Sequence, residues 1–322
     1  MELAWGRRYL MCAPDHYEVS YSINPWTDTT MRVNPDRARA QWDGLVRALT
    51  RAGAEVDLLP PAPGLPDLVF TANAGIVDGA TFVPARMRHP ERQAERDCAE
   101  VWFAGRGVRI ADLGETVVQE GSGDALPMAG VLVAGYRARS SAAAYTDLAR
   151  IVTAPILPVE LPDLRYYHID LTLCPLDERR AIVFPDAWDD AGRARLRDLV
   201  AEPLVLAPEE AAEFCANSVV VGRTVVMPAC PPRVGRQLEA WGFDVVVVDV
   251  GEFRKAGGAV RCLTLALDVT LSAPDPGARD GPARRLRGRR PWRRPLGPAQ
   301  HSATYSASWI SGSSRLSAVM VE

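Results

Sequence analysis

Four segments of this 322-residue chain repeat one outline, a pair of short apolar strands joined by a tight turn, and this repetition limits the possible folds. The strand pairs are NAGIVDGATFVP, GDALPMAGVLVAG, LTLCPLDERRAIVFP and NSVVVGRTVVMP, and CLTLALDV resembles a fifth pair reduced to one strand. A unit of this size cannot bury its own apolar face, so we expect the units to pack around a common axis. A doubly wound sheet is disfavoured, because single strands alternate with helices there.

Helical segments separate the strand pairs, and each is followed by a glycine and a further apolar strand. The segments are QWDGLVRALTRAGAEVDLL, DCAEVWFAGRGVRIADL and GRQLEAWGFDVVVVDV. In the first, Trp42, Leu45 and Leu49 lie on one face at helical spacing, and Asn34-Pro35 provides an N-cap and a first-turn proline. The sequence therefore predicts an α/β protein, a single domain of five strand-pair units with intervening helices.

The domain is predicted to cover residues 1–271, because the composition changes after that point. Residues 272–322 form a tail rich in Arg, Pro, Gly and Ser without an apolar period, which is typical of a poorly ordered extension. Arginine-rich runs can contact phosphates, but one isolated tail is a weak signal. No nucleic-acid partner is predicted.

Composition indicates an ordinary globular protein of the cytoplasm. Hydrophobic residues make up 48% of the chain, and the net charge of −3 gives no reason to expect binding to nucleic acid or membranes. No run approaches the roughly 20 apolar residues of a membrane span, and the amino terminus does not resemble a signal peptide. Six scattered cysteines without a CxxC pair indicate reduced thiols and argue against a cysteine-based zinc site. The oligomeric state stays open, a homo-oligomer included.

Polar residues of reactive types stand at the head of each predicted strand pair. They are Asn73, Asp124, His168 with Asp170, Asn217, and Cys262. Because equivalent positions of radial repeats face the same end of the axis, five separate segments would bring these side chains to one site. A thiolate can act as nucleophile, a histidine can transfer protons, and carboxylates can hold a planar cation. This set indicates attack by sulfur on a guanidinium carbon.

Simpler interpretations apply to most single members of this set. Free cysteines are usually core residues, and we predict that role for all but Cys262; the other five are Cys12, Cys98, Cys174, Cys215 and Cys230. With His168 the only histidine in a suitable position, a metal-dependent hydrolase is hard to assemble, and no metal or cofactor is predicted. A catalytically silent binding protein is disfavoured by the presence of the cysteine and its neighbours.

Five motifs in order, DLVFTANAG, EGSGDAL, YYHID, CANSVVVG and GGAVRCLTL, resemble the guanidino-modifying enzymes of the pentein superfamily. These include arginine deiminase, dimethylarginine dimethylaminohydrolase, arginine dihydrolase and the amidinotransferases. The resemblance covers roughly residues 9 to 270. It implies a five-bladed α/β propeller with one ββαβ unit per blade, and covalent catalysis through a thiouronium intermediate.

The resemblance also implies roles for individual residues. Cys262 would be the nucleophile and His168 the general acid and base, while Asp124 and Asp170 would bind the guanidinium group. Arg92 and Arg139 are the nearest candidates for holding a substrate carboxylate. Further substrate-binding candidates are Asn24, Phe70, Asn73 and Asn217.

Asn73 separates the possible activities. Dimethylarginine hydrolases and arginine deiminases typically have an aspartate where this chain has Asn73, and the amide together with Asn24 resembles the arginine dihydrolase branch. That branch removes both guanidino nitrogens and yields ornithine, carbon dioxide and ammonia. The sequence favours this activity, with dimethylargininase and then amidinotransferase as alternatives. The segment around NPWTDTT is a candidate lid.

Overall fold

The computed structural model describes residues 2–271, so the predicted tail of residues 272–322 lies outside the described residues. The strands are β1 (Arg8–Cys12), β2 (Glu55–Leu59), β3 (Gly75–Asp78), β4 (Thr81–Pro84), β5 (Arg109–Ile110), β6 (Ala125–Met128), β7 (Val131–Tyr136), β8 (Ile156–Glu160), β9 (Leu173–Pro175), β10 (Arg180–Val183), β11 (Glu202–Val205), β12 (Val219–Val221), β13 (Thr224–Met227), β14 (Asp244–Val247) and β15 (Leu265–Ala266). The helices are α1 (Pro35–Arg51), α2 (Glu95–Ala104), α3 (Ala142–Leu148), α4 (Asp190–Leu199), α5 (Pro208–Ala212), α6 (Pro232–Ala240) and α7 (Gly251–Arg254).

These strands form five three-stranded sheets of one design. The sheet orders are β15-β1-β2, β3-β4-β5, β6-β7-β8, β9-β10-β11 and β12-β13-β14. In each sheet the first two strands are antiparallel, and the third runs parallel to the central strand after a helical crossover. A parallel neighbour needs such a crossover, because a tight turn can only reverse the chain. The predicted fold class of five ββαβ units is confirmed.

The first sheet closes the structure by joining the two ends of the described chain. Strand β15 pairs antiparallel with β1, with Tyr9 opposite Ala266 and Leu10 opposite Leu265. The segment after Cys262 has a single strand in sequence because its hairpin partner lies near the amino terminus. The fifth unit is thus complete, but its two halves are more than 250 positions apart.

Helix α1 shows how local sequence fixes these elements. The Asn34 side chain accepts a hydrogen bond from the Arg37 amide at 2.9 Å, and Pro35 occupies the first turn. Trp42, Leu45 and Leu49 are buried against the sheets. After the helix, Gly53 has φ +99°, a left-handed conformation that favours glycine.

Short turns at the heads of the innermost strands connect neighbouring units. Three of them are 3₁₀ turns, Thr71–Ala74, Gly121–Gly123 and Ile169–Leu171, which precede β3, β6 and β9. Asn217 lies shortly before β12 and Cys262 shortly before β15.

Hydrogen bonds join the five strand heads in a closed ring. Each bond joins two neighbouring units. Starting between the first and second units and ending between the fifth and first, they are Ala72 N to Cys262 O (3.1 Å), Asn73 Nδ2 to Glu120 O (2.9 Å), Ile169 N to Asp124 Oδ1 (3.2 Å), Asn217 Nδ2 to Asp170 O (3.4 Å) and Arg261 N to Asn217 O (3.2 Å). We call these contacts the head ring. Because buried polar groups require partners, the ring fixes the orientation of each head.

Within residues 2–271, no helix combines the length and the apolar character needed to cross a membrane.

The end of the described chain provides a test of the predicted domain boundary. The Leu271 amide donates to Asp78 Oδ1 at 2.8 Å and the Gly79 amide donates to Val269 O at 2.8 Å, so the segment after β15 is fixed to the second unit. We expect a chain ending at Leu271 to keep the full-length unfolding temperature, measured by circular dichroism. A chain ending at Thr264 lacks β15, and its unfolding temperature should fall by about 10 °C or more. Equal unfolding temperatures for the two truncated chains would contradict the role assigned to β15.

Candidate active site

A small enclosed cavity lies beside the head ring. Its lining consists of Ile23, Asn24, Asp67, Phe70, Asn73, Arg92, Arg139, Tyr167, Ala256, Gly258 and Cys262. Its volume is about 10 Å³, roughly the space of one water molecule. A larger groove of about 670 Å³ runs between α1 and β14, but none of the predicted site residues lines it. The small cavity is therefore the candidate site, although a substrate the size of an amino acid requires it to open.

Cys262 is buried and held by neighbours on two sides. Asn217 Nδ2 donates to its sulfur at 3.1 Å, and the sulfur lies 3.6 Å from Asp170 Oδ2. Asn217 Oδ1 accepts from the Cys262 amide at 3.3 Å and from the Arg261 amide at 3.1 Å. Burial, reinforced by the Asp170 charge, raises the pKa of the Cys262 thiol well above its usual value. Without substrate, this cysteine is a neutral thiol at neutral pH.

Asp170 presents a carboxylate oxygen that has no hydrogen-bond partner among residues 2–271. This atom, Oδ1, is fully buried, and a buried acceptor without a donor is costly. Burial raises the pKa of Asp170 to about 6, although His168 and Arg261 oppose the shift. The position next to the Cys262 sulfur suits a planar cation that brings several N–H donors.

His168 is paired with a carboxylate that the sequence analysis did not single out. His168 Nε2 lies 2.8 Å from Glu120 Oε2, and Arg139 Nη1 donates to the same oxygen at 2.8 Å. Burial alone would raise the pKa of Glu120, but Arg139 and the hydrogen bond to His168 hold it well below its usual range. Glu120 therefore stays ionised and orients the imidazole. Its sequence signal was its place at the start of EGSGD, the motif that also contains Asp124.

The geometry of Asp124 differs from the predicted contact with a guanidinium group. Its Oδ2 accepts from the Ser140 hydroxyl at 2.7 Å and from the Ser140 amide at 3.2 Å, and its Oδ1 accepts from the Ile169 amide. Like His168 and Asp170, Asp124 is not part of the cavity lining. Both oxygens are used by the protein, so this carboxylate fixes the backbone between His168 and Asp170. Asn217 likewise lies outside the cavity lining and contacts Cys262.

Asn73 has a carboxamide whose orientation is determined by two neighbours. Its Nδ2 donates to the Glu120 carbonyl at 2.9 Å, and its Oδ1 accepts from Arg92 Nη1 at 3.1 Å. A Cβ atom on Gly123 would lie 2.5 Å from Asn73 Nδ2 and 2.9 Å from His168 Nδ1. Only glycine permits this approach, so the EGSGD turn places the amide and the imidazole side by side.

Arg92 was predicted to hold a substrate carboxylate, but the protein already uses most of its donors. It donates to both oxygens of Glu95 at 2.8 Å and to the Asp67 carbonyl at 3.3 Å, besides its bond to Asn73. Burial raises the pKa of both Asp67 and Glu95, while Arg92 opposes each shift. Four of the five N–H groups of Arg92 are therefore occupied, which leaves too few for a bidentate contact.

Arg139 keeps more of its donor capacity. Apart from Glu120, its guanidinium group donates to the Ile23 carbonyl at 2.8 Å and stacks over the Tyr167 ring, 4.7 Å from its centroid. The Tyr167 hydroxyl donates to the Gly257 carbonyl at 2.7 Å, which holds the ring in place. Of the two predicted carboxylate anchors, Arg139 is the better placed.

Asn24, the first residue of the predicted lid, lines the cavity. Asn24 Nδ2 donates to the Ala256 carbonyl at 2.9 Å, and its Oδ1 accepts from the Trp26 amide at 3.0 Å. The Trp26 ring packs against Phe214, with 4.9 Å between centroids. Ile23 and Asn24, which belong to residues 22–27 and are called with them the lid segment below, line the cavity together with Phe70. A Cβ atom on Gly258 would lie 2.3 Å from the Phe70 ring, so that wall depends on glycine.

Residues 2–271 contain no group of three or more His, Cys, Asp or Glu side chains placed to hold a metal ion.

The fold and this set of buried side chains define a class, the guanidino-modifying enzymes of the pentein superfamily. The N-terminal domain of ArgZ, described as an arginine dihydrolase from Cyanobacteria and solved with bound substrate, superimposes with a TM-score of 0.80 at 34% identity. The match covers 82% of this chain and 99% of that domain. A dimethylarginine dimethylaminohydrolase at 20% identity and TM-score 0.70 shares the fold.

This chain belongs to the dimethylarginine dimethylaminohydrolase family, since residues 20–269 match the profile described as eukaryotic N,N dimethylarginine dimethylhydrolase. Among curated relatives, the N(G),N(G)-dimethylarginine dimethylaminohydrolase of Mycobacterium tuberculosis is 38% identical over 81% of this chain and 86% of its own length. The bifunctional arginine dihydrolase/ornithine cyclodeaminase AgrE of Nostoc is 40% identical over 80% of this chain, which spans only 37% of AgrE. The protein is a hydrolase of guanidino C–N bonds.

The raised pKa of Cys262 generates a reactivity prediction. In the substrate-free protein, alkylation of Cys262 by neutral iodoacetamide should be slow at pH 7 and should accelerate as the pH rises beyond 9, because only the thiolate reacts. Mass spectrometry of tryptic peptides measures the rate, and the half-buried Cys230 is an internal comparison. Fast alkylation of Cys262 at pH 7 would contradict a neutral resting thiol.

Proposed function

We propose that this protein is an arginine dihydrolase that converts arginine and two water molecules into ornithine, carbon dioxide and two molecules of ammonia. The observation that carries this choice is the orientation of Asn73 at the cavity wall. One Nδ2 hydrogen is bonded to Glu120 O, and the other remains to donate. A donor at this position can hold the carbonyl oxygen of a neutral ureido group, which an aspartate would repel.

Substrate binding places the guanidinium group against the free oxygen of Asp170 and the neighbouring Cys262 sulfur. Asp170 Oδ1 accepts an N–H of the substrate and thereby gains the partner it lacks within the protein. The cation also stabilises the thiolate of Cys262, whose proton is taken up by His168, so binding and activation of the nucleophile occur together. Arg139 holds the substrate carboxylate, and the lid segment closes over the bound molecule.

The first round of chemistry removes one nitrogen. The thiolate attacks the guanidinium carbon, and His168 delivers a proton to the departing nitrogen, which leaves as ammonia. His168 then takes a proton from water, whose oxygen attacks the thiouronium carbon, and the thiolate departs. The product of this round is citrulline. Glu120 keeps the imidazole oriented through both proton transfers.

The second round acts on the ureido carbon of the retained citrulline. The thiolate adds to this carbon, a second ammonia leaves with a proton from His168, and water hydrolyses the adduct. The resulting carbamate of ornithine loses carbon dioxide. Asn73 carries this round, because its N–H stabilises the negative charge that develops on the ureido oxygen.

Several further assignments complete the proposal. Asn217 positions the Cys262 sulfur, and Asp124 positions the backbone between His168 and Asp170. Phe70 and Asn24 shape the cavity. Chemistry of this kind uses no cofactor, and a cytoplasmic location suits a free thiol nucleophile. The partner is a small guanidino substrate.

Dimethylargininase is the second candidate. The similarity to the Mycobacterium tuberculosis enzyme over 86% of that protein favours it. The nucleophile, His168 and Glu120 would serve equally, with dimethylamine as the leaving group and citrulline as the final product. Amidinotransfer would use the same groups, with an amine in place of water.

Product analysis tests the proposal directly. Purified protein incubated with L-arginine should release ornithine and ammonia in a ratio of one to two, measured by chromatography and an ammonia assay. Cys262→Ser should abolish turnover, while Cys230→Ser, a matched cysteine away from the cavity, should retain it. If the protein releases dimethylamine from dimethylarginine and forms no ornithine from arginine, dimethylargininase is established instead.

The raised pKa of Asp170 predicts the acid side of the pH profile. The free enzyme needs the carboxylate form to accept a guanidinium group, and this form is lost as the pH falls through about 6. We expect kcat/KM for arginine to decline below that pH, approaching tenfold per pH unit. Asp170→Asn should lower kcat/KM by about a hundredfold and remove this limb. An unchanged limb in that variant would assign the titration to another group.

A further inference from the structure

Arg92 and Glu95 form a buried pair behind Asn73. Glu95 accepts two parallel hydrogen bonds, from Arg92 Nε and Nη2, each at 2.8 Å. Both side chains are only 4% exposed, so water offers little competition for these bonds. A bidentate pair of this kind fixes the plane of the guanidinium group as well as its position.

The fixed plane aims one more donor at Asn73. With Nε and Nη2 turned toward Glu95, Nη1 points the other way and donates to Asn73 Oδ1 at 3.1 Å. Arginine can only donate and a backbone carbonyl can only accept. Arg92 and Glu120 O therefore require the same orientation of the carboxamide, with oxygen toward Arg92 and nitrogen toward the Glu120 carbonyl.

Asp67 offers Arg92 a competing arrangement. Its carboxylate Oδ2 lies 3.7 Å from Arg92 Nε, and the Asp67 side chain is buried as well. If Glu95 loses its charge, the strongest remaining partner of Arg92 is Asp67. A turn of the guanidinium group toward Asp67 takes Nη1 away from Asn73 and frees donors for a substrate carboxylate.

We propose that Glu95 determines product specificity by holding Arg92 on Asn73, so that the carboxamide keeps an N–H directed at the ureido oxygen of citrulline. Glu95 is a positioning residue, since it does not line the cavity. The inference rests on the proposed dihydrolase function and adds a residue to it. Loss of the Glu95 charge weakens the hold on citrulline, while arginine, anchored as a cation by Asp170, is affected less.

Ligand binding without turnover provides the test. In the Cys262→Ser background, calorimetry measures the Kd of L-citrulline and of L-arginine with and without Glu95→Gln. We expect the citrulline Kd to rise about tenfold and the arginine Kd to change less than threefold. Glu91→Gln is the matched control, an exposed glutamate four residues earlier that should change neither value. Equal weakening of both ligands, or no change in either, would overturn the inference.

Turnover gives a second readout in the protein with Cys262 intact. With arginine, Glu95→Gln should release citrulline in place of part of the ornithine, while arginine consumption falls less than threefold. If Glu95→Gln does not fold, Arg92→Lys serves, because a single ammonium group cannot hold Glu95 in the bidentate manner and also reach Asn73. An unchanged ornithine fraction in a folded variant overturns the inference.

The two hypotheses fail in different ways. A wild-type protein that forms no ornithine from arginine refutes the dihydrolase function. The comparison of citrulline and arginine affinity still decides the role of Glu95, because citrulline is also the product of the second candidate reaction.

Discussion

The head ring is the interaction on which the remaining structure depends. Each strand head contributes a polar group to its neighbour, and the same backbone segments carry the reactive side chains. Asn217 illustrates this double use, since its amide holds the Asp170 carbonyl and its oxygen accepts from the Cys262 amide. A displacement in any unit therefore changes the site, and the five small sheets act as one support although each is only three strands wide.

The acidic groups of the substrate-free site, Asp170 and Cys262, need a bound cation to stabilise their ionised forms. Asp170 and Cys262 are both buried, burial raises the pKa of each, and the Asp170 charge makes ionisation of the Cys262 thiol less favourable still. His168 and Arg139 do not remove this difficulty, because Glu120 already engages both. In the proposed mechanism, a guanidinium substrate donates a hydrogen bond to the free Asp170 oxygen and stabilises the thiolate of Cys262 at the same time. A neutral resting thiol is therefore compatible with a strong nucleophile during turnover.

The sequence predicted the fold well because each unit carries its own local signals, such as the Asn34 cap and the glycine turns of the strand pairs. It also predicted that Asn73, His168, Asp170 and Cys262 lie near one another, because they occupy equivalent positions in the repeated units. The contacts of Asp124 and Asn217 with the protein itself could not be predicted, since phase shows which residues share an end of the axis but not which way a side chain points. Glu120 was missed for a related reason. Its pairing with His168 joins two units, and neither segment alone contains a sign of the other.

Strand β15 has a consequence for the order of events during synthesis. Cys262, the proposed nucleophile, lies three residues before this strand, whose hairpin partner is the first strand of the chain. A chain emerging from the ribosome folds its amino-terminal part first, so four units can assemble while the last head is still missing. The thiol enters its pocket only when the propeller closes. Reactivity toward guanidino compounds therefore begins with completion of the fold, and partly made chains stay inert.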